Sequence, residues 1–561
     1  MTAEASAALL RLMSLAGWRI RLLLAALVVL GPATAVEATA PAPEGHAIRA
    51  LIATGALSEL RRSDFSDLRS VLDAVYRRND YRPLWLGADG PPRAILSELG
   101  AAPSDGLDTS LYDIAWLRDE IEAIAAGDRA PQRSARVDVA LSVAVLRYAS
   151  DLHGGRIRPA EAGFKLASPR KPLDLAAVLE RGIATGDWHE VLGSLRPSLV
   201  LYRRLQRALA RYRSYASASL PPLPALPTGT RKIVPGDNYA GVAELGERLR
   251  IVGDLPSGAL PPLRRYDGAL VDAVRRFQDR HGLEPDGVIG SATLAELEVP
   301  FAARVRQIEL SLERLRWLPD FPSSALIAVN IPSFRLWAFT DASEDAAAQL
   351  SMPVIVGHAA AEHKTPVFIG EMRYVEFSPY WNIPPGIQRA EIVPRLARDP
   401  SYWEREGLEA VPVGSRGDPR TVLDAATLDG LASGALRARQ RPGPNNALGS
   451  VKFALPNTLD IYLHGTPARQ LFGQTRRDFS HGCIRVEDPL ALAVFVLSDQ
   501  PAWTPDRIAK AIAAGKTATV RLTRPIPVVI FYTTAIVDAM GAVRFAADIY
   551  GYDRKLERLL E

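Results

Sequence analysis

His464-Gly-Thr-Pro-Ala-Arg-Gln-Leu-Phe-Gly-Gln-Thr-Arg-Arg-Asp-Phe-Ser-His-Gly-Cys-Ile-Arg-Val486 contains Cys483, the one cysteine in a chain of 561 residues. A lone cysteine by itself reads as a small buried hydrophobe or as an accidental surface thiol. The neighbours of this one argue otherwise. Ser480-His481-Gly482 is a polar turn of small residues and Ile484-Arg485-Val486 alternates as a strand does, so the turn presents the thiol rather than burying it. Glycine at 482 permits an unusual φ/ψ and a close backbone approach, so that successive N–H groups can converge on one oxygen, the geometry a developing oxyanion requires. A free thiol is only about a few per cent ionised at neutral pH and needs a base or a positive neighbour. His464 ends the strand-like run Asp460-Ile461-Tyr462-Leu463 and is followed at once by the breaker Gly465-Thr466-Pro467, a placement that can hold a base. His481 would need an awkward local turn to reach a sulfur two residues away. It reads as a shaper of the turn, and His464 as the base.

His464-Gly465-Thr466 and Ser480-His481-Gly482-Cys483-Ile484-Arg485, with fifteen residues between the histidine and the serine, together resemble the signature of the YkuD-type L,D-transpeptidases. The resemblance implies Cys483 as nucleophile, His464 as general base and an oxyanion hole made by backbone N–H groups near Gly482 and Cys483. Ser480, His481 and Gly465 then support the site, while Arg485 either binds a carboxylate or holds the turn by bonding carbonyls. Trp381, Tyr462 and Asn446 are the candidates for a substrate groove; Trp381 lies in Tyr380-Trp381-Asn382-Ile383-Pro384-Pro385-Gly386, which reads equally as a groove wall and as a core corner. The implied reaction acylates Cys483 with a peptidoglycan stem peptide, releases D-alanine and passes the acyl group to an amine, cross-linking two third residues. Two alternatives stay open: an L,D-carboxypeptidase, with water as acceptor, and a non-catalytic peptidoglycan-binding wall protein. No cofactor and no metal are expected.

The length calls for three or four domains. A net charge of +4 over so long a chain is no nucleic-acid footprint. Residues 1–35 read as an export signal: Arg11, Arg19 and Arg21 precede nine apolar residues, Leu22 to Leu30, with Ala33-Thr34-Ala35 as a cleavage site. The expected location is therefore the periplasm or cell envelope, with membrane association only through an uncleaved signal. An exported thiol with no second cysteine forms no internal disulfide, so Cys483 has no structural reason of that kind to exist. Oligomeric state is not legible.

Along the chain, residues 36–48 read as a linker and 49–217 as a helical domain. Its centre is the apolar run Val137 to Leu152, stopped by His153-Gly154-Gly155. The cluster Asp151 to Pro159 reads as a helix end, not a second site. Tyr81-Arg-Pro-Leu-Trp85 and the turn after Asp151 resemble the scaffold domain of large, YcbB-like members of the family. Residues 199–215 form a helix with Tyr202, Leu205, Leu209 and Tyr212 on one face. The arginines around it read as a solvated face, or as a contact for an anionic polymer or membrane. Four prolines between Ser219 and Pro227 make a stiff linker. Residues 238–299, with Leu270, Val274 and Phe277 at helical spacing, resemble a small helical peptidoglycan-binding module. From 320 to 535 strand runs dominate, interrupted by an insertion at 386–450 whose helical portions, Glu391 to Asp399 and Leu423 to Arg439, suggest a lid. Residues 536–561 read as a C-terminal extension. The expected fold is thus multidomain α+β: a mostly β catalytic domain with a helical capping insertion, plus helical scaffold and peptidoglycan-binding domains.

Overall fold

The computed structural model describes residues 43–86, 92–166, 172–217, 220–226, 229, 231–256, 265–321, 324–341, 348–360, 362–414 and 417–561. The export signal expected at 1–35 lies outside them. The helix Pro131–Gly154 extends the apolar run at both ends. Proline in its first turn gives up an N–H that would have had no partner, and Gly155 at φ +78° ends it. It is buried nearly all round, as the central helix of a layered helical domain must be. Asp138 on this helix is fully buried, yet it caps the turn that breaks the first half of the domain. It accepts from Leu84 N and Trp85 N at 2.9 Å and from the Tyr76 hydroxyl at 2.7 Å. Burial pushes its pKa up to about 6. The linker expected at 36–48 is corrected: the helix Pro43–Thr54 begins inside it and buries Ile48 and Ile52 in the same core. Two isoleucines one turn apart are enough to dock it, and the surrounding Ala and Pro hid them.

In the β region the strands are β1 (Leu326–Asn330), β2 (Arg335–Phe339), β3 (Leu350–Gly357), β4 (Phe368–Phe377), β5 (Trp381–Asn382), β6 (Leu408–Pro412), β7 (Leu436–Gln440), β8 (Val451–Ala454), β9 (Leu463–His464), β10 (Asp478–Ser480), β11 (Ile484–Val486) and β12 (Ala518–Phe531). Nine of them, among the described residues, form one sheet in the order β10-β3-β11-β9-β8-β4-β12-β1-β2. The first half of β3 also pairs with β2, so the sheet curls back on itself like a barrel. Alternate residues such as Ile327, Val329, Leu336, Val375, Phe453 and Leu463 fill its interior. Strands β6 and β7 of the insertion form a separate three-stranded sheet with β5, which immediately precedes it. With the segments Gln388–Ile392 and Val393–Arg398 and the helix Ala425–Ser433, they enclose a core of their own around Ile383, Leu396, Trp403 and Leu431. The helix expected over Leu423 to Arg439 therefore stops early. Gly434 turns it at φ +80°, and Leu436-Arg437-Ala438-Arg439-Gln440 alternates buried and half-buried as a strand.

The helix Val200–Ala216 lays Tyr202, Leu205, Leu209 and Tyr212 against Ile308, Leu312 and Leu315 of the helix Phe301–Arg316 and against the hairpin of β13 (Ala535–Val537) and β14 (Val543–Phe545). Its arginines are not simply solvated. Arg204 and Arg211 donate to the carbonyls of Asp538 and Gly541 at the hairpin turn, and Arg213 pairs with Glu309. On the helix Phe301–Arg316, Glu313 is 2% exposed and accepts from Arg156 N, Ile157 N and Arg316. The turn after Asp151 is thus occupied in joining the helical domain to the rest. In the region 238–297, Leu270, Val274 and Phe277 are buried on the helix Gly268–Arg280, and Arg280 forms a buried ion pair with Asp254. Glu284 of the same region accepts from Thr475, in the loop that leads to β10.

Candidate active site

β9 lies between β8 and β11, with His464 opposite Lys452 on one side and Arg485 on the other, and Leu463 opposite Ile484. Leu463 and Ile484 are fully buried under the sheet. Side chains in register on neighbouring strands share a face. The sheet therefore gathers Lys452, Tyr462, His464, Cys483 and Arg485 on the opposite face. The rings of Tyr462 and His464 lie 5.6 Å apart.

His464 is buried, and its Nδ1 sits 2.6 Å from the carbonyl oxygen of Gly465. A carbonyl can only accept, so Nδ1 carries the proton and Nε2 keeps its lone pair. Gly465 earns its place through that carbonyl, while its own N–H donates to Val451 O at 2.9 Å. Burial, and then the charge of Arg485, push the His464 pKa down to about 3. The Cys483 thiol is half-buried, and desolvation raises its pKa. Both shifts favour neutral partners: the resting pair is a thiol beside an uncharged imidazole, not a thiolate beside an imidazolium.

The turn that carries the thiol is closed by Ser480, whose hydroxyl donates to Cys483 O at 2.5 Å and accepts from Gly482 N at 3.1 Å. Gly482 takes φ +119°, a conformation that side chains rarely adopt. These bonds correct one expectation. The Gly482 N–H is committed to Ser480, whereas the Cys483 N–H has no acceptor among the described residues. The free donor beside the sulfur is therefore that of Cys483.

Residues 324–530 match the L,D-transpeptidase catalytic domain family (YkuD). The chain carries an L,D-transpeptidase catalytic domain. Residues 70–209 match a scaffold domain and 238–297 a "putative peptidoglycan binding domain", so the resemblance read from the sequence holds for all three parts. A "putative L,D-transpeptidase" from Haemophilus influenzae is 33% identical over 252 residues, which cover 45% of this chain and 49% of that one. The chain thus spans about half the length of the curated relative it matches. A crystal structure of an L,D-transpeptidase from Xylanimonas cellulosilytica aligns at 15% identity over 55% of this chain and 100% of its own, with a TM-score of 0.17, at which the likeness carries no argument.

Arg485 of the transpeptidase domain is half-buried, its Nε has no hydrogen-bond partner, and neither a carboxylate nor a turn carbonyl is bound to its guanidinium among the described residues. Of its two readings, the structure leaves no carbonyl for it to hold. Tyr462 is a close neighbour of the thiol, and Trp381, just before the insertion, is a close neighbour of Tyr462. Trp381 pairs through β5 with Gln440 of β7 and packs on the insertion's core, as a core corner does. Asn446 is corrected. It is 1% exposed, its amide donates to Pro379 O and Arg441 O at 3.0 Å, and its oxygen accepts from Leu448 N. It fastens a turn and lines no groove. His481 Nε2 lies 2.6 Å from Glu391 of the insertion, and its ring is edge-on to His363. Sequence reasoning missed Lys452, which stands over the Tyr462 ring and pairs with Glu376. Its alternation in Val451-Lys452-Phe453-Ala454 was the available signal.

Proposed function

We propose that this protein is an exported enzyme of the periplasm or cell envelope that cross-links third residues of peptidoglycan stem peptides through a thioester on Cys483. The observation that carries the reading is one sheet face holding a thiol, an imidazole with its Nε2 lone pair free, an unspent backbone N–H and an unpaired guanidinium. The thiol proton passes to His464 Nε2 as sulfur attacks the carbonyl carbon between the third residue and D-alanine. The oxyanion lodges on the Cys483 N–H, the C–N bond breaks, and His464 returns the proton to the departing amine. An acceptor amine then gives its proton to His464, attacks the thioester and releases the thiol. Muropeptide mass spectrometry after incubation with the full chain tests this. Dimers joined between third residues support it, tripeptides alone point to the carboxypeptidase, and unchanged tetrapeptides to the binding protein.

The cation at 485 suits the terminal carboxylate of the donor stem, which leaves with D-alanine. Arg485→Gln is expected to weaken turnover of a carboxylate-terminated donor by roughly tenfold to a hundredfold, the worth of a charged hydrogen bond. A donor with an amidated terminus should be processed equally by both chains. Equal losses on the two donors would remove Arg485 from carboxylate recognition.

A further inference from the structure

The carbonyl of Gly482 and the N–H of Cys483 belong to one planar peptide and point in opposite directions across it. Whatever holds that carbonyl therefore aims that N–H. The carbonyl accepts a 2.7 Å hydrogen bond from Thr365 Oγ1, and the same hydroxyl oxygen accepts from Gly357 N at 2.8 Å. An amide only donates and a carbonyl only accepts, so the single Thr365 proton is committed to Gly482. The Thr365 N–H donates to the Tyr550 hydroxyl at 3.1 Å, and that hydroxyl donates to Gly357 O at 2.5 Å. These bonds close a ring through Gly357, Thr365 and Tyr550, from which the Gly482 peptide hangs. Thr365 is 0% and Tyr550 6% exposed, so water does not compete for them. A Cβ on Gly357 would stand 1.9 Å from His363 O and 3.0 Å from Gly482 Cα; strand β3 and the catalytic turn meet backbone to backbone.

We infer that Thr365 and Tyr550 are positioning residues that aim and polarise the Cys483 N–H as the oxyanion donor. The inference rests on the cysteine thioester proposed above. A hydrogen bond on the carbonyl side of a peptide strengthens the donor on its nitrogen side, so the pair acts on the transition state without touching substrate. Tyr550 comes from the C-terminal segment, braced by its stacking on Tyr532. That segment, read from sequence as an extension, reaches the active site through this bond.

The test uses the full chain and two reactions of the same sulfur. Acylation by a carbapenem passes through a tetrahedral oxyanion; alkylation by iodoacetamide does not. Thr365→Val, nearly constant in shape, is expected to slow acylation roughly tenfold or more, part of the 10²–10³ lost with a whole oxyanion donor. Alkylation should keep its rate, and Thr365→Ser should restore acylation. Tyr550→Phe should lower acylation in the same selective way and carries the comparison if the valine variant does not fold. Wild-type acylation in the variants overturns the inference, and so does a parallel fall of both reactions, which marks a merely structural contact. Acylation persisting in Cys483→Ala would instead remove the thioester reading, and this inference with it.

Discussion

Cys483→Ala is expected to form no acyl-enzyme and no cross-linked product, a loss on the order of 10⁶-fold in kcat by analogy with removal of other covalent nucleophiles. The fold should survive. The thiol is half-buried, and its own hydrogen bond, to Asp460 O, is 3.5 Å long, so removing one sulfur atom costs at most about 1 kcal/mol. The turn is held by Ser480 and Thr365 instead, neither of which depends on the sulfur. Intact-mass analysis after exposure to a carbapenem reads the chemistry, and a thermal melt reads the fold. A wild-type chain that gains no mass on the peptide carrying residue 483, or a variant that still turns over, would exclude Cys483 as nucleophile.

His464→Ala is expected to slow acylation by about 10²–10⁴-fold, the usual worth of a positioned base. The pH profile of the wild type separates this base from an ordinary histidine. A ring titrating near 6.5 would lose roughly sixteenfold in its basic form between pH 6.5 and 5. Held down to about 3 by burial and by Arg485, His464 stays unprotonated over that range, so acylation should be nearly flat from pH 7 to 5. The same shift weakens folding as pH falls from about 6.5 toward 3, because the unfolded chain takes up this proton first. His481→Ala should cost less, since its ring is engaged with Glu391 and His363. A larger acylation defect at His481 than at His464 would make His481 the base.

The insertion is expected to govern access more than stability of the β domain. It closes a core of its own, and Trp381 and His481–Glu391 are among its points of contact with the site. Shortening it between the ends of its helices should change KM or acceptor choice before it changes the thermal midpoint. Collapse of the whole domain on shortening would show the insertion to be structural.

What the sequence by itself determined is local in the chain. A histidine at a strand end, a glycine turn and a lone thiol lie within twenty residues, and their order names the chemistry before any contact is known. Helical runs such as Leu270-Val274-Phe277 declare their buried face by spacing alone. Other outcomes were decided by partners far away in sequence. Asn446 looked like a groove residue because its turn precedes the site; only the approach of Pro379 O and Arg441 O showed its amide to be spent. Arg485 could have held the turn, and what withholds that role is the set of carbonyls that do not come near it. The Gly482 peptide is aimed by Thr365, 117 residues earlier, and through it by Tyr550. The direction in which His464 presents its lone pair follows from the Gly465 carbonyl beside it, but the low pKa of the ring follows from burial beneath Arg485, a neighbour only when β9 and β11 pair. Hydrogen-bond direction and desolvation depend on which surfaces meet, and periodicity along one segment carries no record of the segment that will cover it.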